Sequence, residues 1–265
     1  RYLRRHHPEP LTSKVTFPWG RNFSREKEGT SMAKPRSVDL SNPFLDNLEG
    51  VCELLLVRHG EQQYVRDMTI ADGVNPPLSP LGEQQAAAVG ERLADHRIDV
   101  VYASPLTRAF DTGHAIAQHH GLVPIVDDDL QEVDLWGKVD QSKSLKENLP
   151  ADEIRAIFRE SQRTQSWDAY VYGNGAQAFR DRVHTTIERI AADHVGQRVV
   201  VACHGGVIGT YLAQLWAADM DNVCHVHHTS ITTVRAMDDY RRVIAVNDFR
   251  HVLPFQDSIN ELNAN

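Results

Sequence analysis

Cysteine is scarce in this sequence: Cys52, Cys203 and Cys224 are the only three among 265 residues. An odd, thin count builds no disulfide framework and fits a reducing compartment, so a cytoplasmic location is expected. Long apolar runs are missing too. Nothing approaches the roughly 18 consecutive residues that a membrane span requires, and the first residues show no basic stretch leading into an apolar core. No membrane partner is expected. Cations are not in excess: 28 Lys and Arg face 36 Asp and Glu, for a net charge of -8. That balance argues against nucleic acid as a partner, because such binding draws on clustered positive charge. It leaves room for a small anionic substrate, which needs only a local positive pocket. Internal repeats and low-complexity tracts are absent.

A hydrophobic fraction of 41% with 24% charged residues is ordinary for a globular chain, and the length suits one large α/β domain with extensions. Residues 1–49 stand apart from the rest. They carry scattered prolines (Pro8, Pro10, Pro18, Pro35, Pro43) and hold no period of 2 or 3.6. The sequence does not open with Met, and Met32 is the first one in it. Whether residues 1–31 belong to the native protein is therefore left open, and they stay outside the fold argument.

From Cys52 onward the pattern is regular. Leu54-Leu55-Leu56-Val57 is a short apolar run of the kind buried on both faces of a parallel sheet. Ser79-Pro80 opens a helix, with Ser as N-cap and Pro in the first turn. A second strand is expected over 99–103, a helix over 105–119 stopped by Gly121, and a short strand at 124–126. Phe179, Val183, Ile187 and Ile190 recur at helical spacing. Arg198 to Cys203 is another doubly buried strand, followed by a helix through Trp216. Two last strands are expected at 230–236 and 242–246. Residues 134–177 are weakly patterned, apart from one helix over 151–163, and are read as an insertion over the site. Alternating strands and helices imply a three-layer α/β/α sandwich around a mostly parallel sheet. Ligands bind such sheets beyond the carboxyl ends of the strands, where His59 and His204 both fall.

Four segments carry chemistry: Arg58-His59-Gly60-Glu61 after the first strand, Ser104-Pro105-Leu106-Thr107-Arg108-Ala109 with Thr112, Leu130-Gln131-Glu132-Val133, and His204-Gly205-Gly206. In this order they resemble the histidine phosphatase (phosphoglycerate-mutase-like) superfamily, phosphatase branch, over roughly residues 52–247. The resemblance implies a phosphomonoester hydrolase without cofactor or metal. His59 would take up the phosphoryl group, and Glu132 would serve as general acid and then base. Arg58, Arg108 and a protonated His204 would neutralise the three equatorial oxygens. His59 must be neutral, with its second ring nitrogen donating to a carbonyl. By the same resemblance Gln62, where the family often has Ser or Thr, Gly205 and His228 would be further substrate contacts. The insertion around Trp136, Trp167, Tyr170 and Tyr172 would set the substrate.

Each residue also has a plainer reading. Arg108 alone is a helix-surface charge, and Glu132 alone a loop carboxylate with Asp134 and Asp127-Asp128-Asp129 as competitors. Cys224-His225-Val226-His227-His228 hints at a metal, but an extended segment cannot turn all its donors to one centre. A mutase is the nearest rival, and residues 64–75 lack the mutases' Asn and Trp pattern. A protein phosphatase and a non-catalytic phospholigand-binding protein are further alternatives. The expected partner is a small phosphorylated substrate, with a homodimer left open.

Overall fold

A computed structural model describes residues 40, 47–65 and 67–255. The chain divides into two units, Arg1–Val38 and Asp39–Asn265. The first unit lies outside the described residues, as do the aromatic side chains of 17, 19 and 23.

Six strands form one sheet: β1 (Cys52–Arg58), β2 (Val100–Ala103), β3 (Ile125–Val126), β4 (Arg198–Cys203), β5 (Ile231–Met237) and β6 (Tyr240–Asp248), in the order β3-β2-β4-β1-β5-β6. The first four in that order run parallel, while β5 and β6 are antiparallel to their neighbours. The sheet is thus mixed, with an antiparallel hairpin at one edge.

Period-2 alternation sorts the apolar runs between two cores. Leu54, Leu56, Val199 and Val201 face one side with Phe179, Val183, Ile187, Ile190 and Ile208. Leu55, Val57, Val101 and Val200 face the other with Val89, Leu93 and Ile116. Helices α2 (Pro80–Leu93) and α3 (Thr107–Ala117) cover the second face, and α6 (Ala176–Asp193) and α7 (Gly205–Leu215) cover the first. Three shorter or peripheral helices, α1 (Ile70–Val74), α4 (Leu145–Asn148) and α5 (Ala151–Thr164), lie in the segments that reach the cavity described below. Deleting one such doubly buried side chain, Leu56→Ala for example, removes about 2–5 kcal/mol.

Local chemistry sets the helix starts. Ser79 accepts the Gly82 N–H at 3.0 Å, as an N-cap does. Gly82 has no room for a side chain, since a Cβ there would sit 1.9 Å from the Glu61 carbonyl oxygen. That close approach presses the loop after β1 against the start of α2. The helix expected over 105–119 begins later, at Thr107. Ser104 Oγ accepts the Leu106 N–H at 3.3 Å and holds residues 105–106 in a turn first. Past Ala117 it tightens into a 3-10 turn over Gln118–His120 and stops at Gly121, whose φ is +66°. No helix among the described residues is long and apolar enough to cross a membrane.

Candidate active site

Strand register places the site. Arg58 pairs with Cys203 across β1 and β4, so the next residues, His59 and His204, leave adjacent strands side by side. His59 N–H donates to the Cys203 carbonyl at 2.9 Å, and the two imidazole centroids are 5.1 Å apart. Ala103 pairs with Ala202 across β2 and β4, which sets Ser104 beside His204. The first turn of α3 then returns Arg108 over both rings.

Hydrogen bonds assign the protons. His59 Nδ1 lies 2.7 Å from the Gly60 carbonyl oxygen, which can only accept, so Nδ1 carries the hydrogen. The lone pair is on Nε2, which accepts from Arg108 Nε at 3.2 Å. Burial, then His204 and Arg108, push the His59 pKa well below the ordinary value. A neutral imidazole with its free nitrogen beside a guanidinium has the lone pair that nucleophilic attack needs, next to a charge that attracts anions.

His204 differs from the expected donor cation. Arg108 Nη2 sits 3.5 Å from its Nδ1, and a guanidinium only donates, so Nδ1 accepts and Nε2–H donates to Ser104 Oγ at 2.8 Å. Burial and the adjacent Arg108 and Arg58 hold His204 neutral. It is fully buried beneath the cavity rather than on its wall.

Arg108 is itself fixed by a third contact, donating from Nη1 to the Val74 carbonyl at the end of α1, 3.0 Å away. Arg58 Nη1 donates to the Val226 carbonyl at 2.5 Å. Its Nε is buried and has no partner among the described residues, an arrangement that favours an incoming anion. Thr112 ties the floor together: its hydroxyl donates to the Arg108 carbonyl at 2.7 Å and accepts the Gly60 N–H at 3.0 Å.

Glu132 lines the same cavity. Burial raises its pKa, although the N–H groups of Val133 and Gly206 and the charges of Arg108 and Arg58 pull the other way. Those N–H groups lie 3.0 and 3.1 Å from its two oxygens. Two of the competing carboxylates are held by other groups. Asp127 caps a 3-10 turn and pairs with Arg189, while Asp134 accepts from Trp136 N and Asn174 Nδ2. A side chain at Gly206 would displace the carboxylate, because a Cβ would stand 2.3 Å from Glu132 Oε1.

Gln62 and His228 also line the cavity, the His228 ring 5.7 Å from that of His59. Burial, with Arg58 next, lowers the His228 pKa to about 3. Gly205 opens α7, and a Cβ there would meet Arg58 Nε at 3.5 Å, an ordinary contact. Of the four insertion aromatics, Trp136 alone lines the cavity. Trp167 donates to Thr210 Oγ1 at 2.8 Å and packs against the core. Tyr170 backs Trp136, and Tyr172 donates to Glu153 at 2.5 Å. No group of three or more His, Cys, Asp or Glu among the described residues is arranged to hold a metal ion.

Sequence reasoning gave no role to Ser104 and Thr112, which steady the floor, or to the wall residues Met68, Ile70, Leu145 and Phe158. The motif residues Ser104 and Thr112 were visible, but nothing in a linear pattern says what a hydroxyl touches.

Residues 54–249 match the family described as Histidine phosphatase superfamily (branch 1). The chain belongs to that family, and with it to the phosphatase and phosphotransferase enzymes. It is 32% identical to Phosphoglycerate mutase-like protein 4 of Arabidopsis thaliana over 208 residues, 76% of this chain and 86% of that protein. It is 30% identical to the Metal-independent phosphoserine phosphatase of the same plant over 207 residues, 76% of this chain and 84% of the relative. The fold resembles that of a phosphoglycerate mutase from Bacillus anthracis, with a TM-score of 0.62 at 19% identity over 76% of this chain and 95% of that one.

Proposed function

We propose that the protein hydrolyses phosphomonoesters in two steps through a phosphohistidine on His59, without a metal. The carrying observation is the His59 tautomer: Nδ1–H is spent on Gly60, and Nε2 is left with its lone pair beside Arg108. In the first step Nε2 attacks phosphorus, the P–O ester bond breaks, and protonated Glu132 gives its proton to the leaving alkoxide. In the second step the Glu132 carboxylate takes a proton from water, the oxygen attacks phosphorus, and the P–N bond breaks to release inorganic phosphate. Arg58 and Arg108 neutralise the equatorial oxygens in both steps. His204, neutral and held by Ser104, orients Arg108 at rest. A dianion arriving beside it favours its protonated form.

The expected metal independence follows from charge. Arg58 and Arg108 line the same cavity, and two guanidinium groups on one tetrahedral anion would do the work a divalent ion does elsewhere. The name of the phosphoserine phosphatase relative agrees with that reading. Rapid-quench labelling with a 32P-ester tests the proposal. An acid-labile, alkali-stable phosphoenzyme is expected in the wild type at full activity in chelator, and none in His59→Ala, with turnover down by about 10⁵-fold or more. Labelling that persists in His59→Ala would overturn it.

A further inference from the structure

The cavity, phosphate pocket included, holds about 1300 Å³, larger than the roughly 300–1,000 Å³ of common small-molecule sites. A three-carbon acid such as phosphoglycerate or phosphoserine would occupy a small part of it. Aromatic and aliphatic side chains make up the far wall. Helix α5 buries only Ile157 and turns Ile154 and Phe158 to the cavity. Phe158 remains 43% exposed there. It meets Trp136 edge-to-face at 6.3 Å, with Tyr170 behind both at 5.7 and 6.3 Å. Met68 and Ile70 face them from the segment leading into α1. The two sides are stitched by backbone bonds, Ile70 N–H to the Lys143 carbonyl at 2.9 Å and Ala71 N–H to the Gln141 carbonyl at 3.0 Å.

Charge in the cavity outside the phosphate pocket runs against an acidic substrate. Glu61, Asp67 and Asp134 are among the residues that line the cavity. Among the described lining residues outside the phosphate pocket, Lys146 is the one Lys or Arg, and it is paired with Asp67 at 3.0 Å. A carboxylate on the substrate would have to break that pair or lie beside like charge.

We propose, resting on the phosphatase reading above, that the alcohol half of the substrate is large, predominantly apolar and without negative charge, seated between the Trp136–Phe158 aromatic wall and the Met68–Ile70 segment. Small phosphorylated acids are then poor substrates, in contrast to what the relatives' names describe. Burying a phenyl group against such a wall favours its ester over a small neutral one by on the order of 100-fold in kcat/KM.

The test is steady-state phosphate release from primary alkyl esters, all poor leaving groups: 3-phenylpropyl phosphate, ethyl phosphate, glucose 6-phosphate, phosphoserine and 3-phosphoglycerate. 3-Phenylpropyl phosphate is expected to lead ethyl phosphate by about 100-fold and the two acids by more. In Phe158→Ala the phenylpropyl-to-ethyl ratio is expected to fall about tenfold, through KM, and to return largely in Phe158→Leu, which keeps apolar bulk. Equal or better turnover of either acid overturns the proposal. So does glucose 6-phosphate matching 3-phenylpropyl phosphate, since volume without apolarity would then suffice, or a ratio unmoved in Phe158→Ala. Any of these leaves the phosphatase reading standing. That reading falls, and this one with it, when p-nitrophenyl phosphate is not hydrolysed and His59 takes up no label.

Discussion

Arg108 and Phe158 line one cavity under opposite conditions. Arg108 is 5% exposed and donates to His59, His204 and the Val74 carbonyl. Phe158 is 43% exposed and meets Trp136 and Tyr170 through ring edges. The floor is built where three strand ends converge, and directional partners hold its polar groups, apart from Arg58 Nε, which has none among the described residues. The wall comes from two segments without strands, and it is held by apolar contact and a few backbone bonds. A change at the floor should therefore cost turnover on every ester, whereas a change on the wall should alter the ranking among esters.

The sharpest break in that contrast is at Glu132, the proposed proton donor. Glu132→Gln is expected to slow turnover of alkyl esters by about 10²–10⁴-fold, and of p-nitrophenyl phosphate much less, because that leaving group needs no proton. Equal losses on both substrates would take Glu132 out of the acid role. A subtler blow to the floor comes from Gly206→Ala. Its Cβ would fall 2.3 Å from Glu132 Oε1 and 3.2 Å from Trp167 Cζ2, so the carboxylate must move. We expect kcat to fall about 10- to 100-fold, with helix content retained by circular dichroism; unchanged kinetics would mean that the position of Glu132 does not matter.

Acid should also strike the floor first. His59 and His204 are held neutral, with folded pKa values well below the ordinary 6.5. Between those folded values and about 6.5 the unfolded chain binds more protons, so stability is full above that window and falls as pH drops through it. Each ring contributes up to about 1.4 kcal/mol of loss per pH unit. Urea unfolding at pH 7.5 and 5.5 measures this, and His204→Gln should shallow the slope. The smallest effect belongs to the wall. Lys146 and Asp67 form a pair with side chains 77% and 59% exposed, so Lys146→Ala should leave the thermal midpoint within about 1 °C. A larger fall would show that the wall is held as firmly as the floor.

Much of the architecture was legible because burial on both faces leaves an uninterrupted apolar run. Leu54 to Val57 and Arg198 to Cys203 could hardly be anything but central strands, and the Ser79 cap was visible as a residue type in its place. The start of α3 lies two residues past the one its sequence suggests, because Ser104 turns the chain before the helix begins. The mixed character of the sheet was not legible, since strand direction depends on which neighbour β5 finds.

The residue types at the proposed phosphate pocket were set by the chain itself, because an imidazole and guanidinium forks suit an incoming anion, and these stand at strand ends and in a helix's first turn. Their protonation was not. His204 reads as a useful cation in one dimension and becomes a neutral acceptor once Arg108 and Ser104 close on it. The choice of Glu132 over its acidic neighbours, and the emergence of Phe158 rather than Tyr172 as a cavity wall, likewise belong to tertiary structure. Proton positions and pocket walls depend on through-space partners dozens of residues away, and no local spacing encodes those.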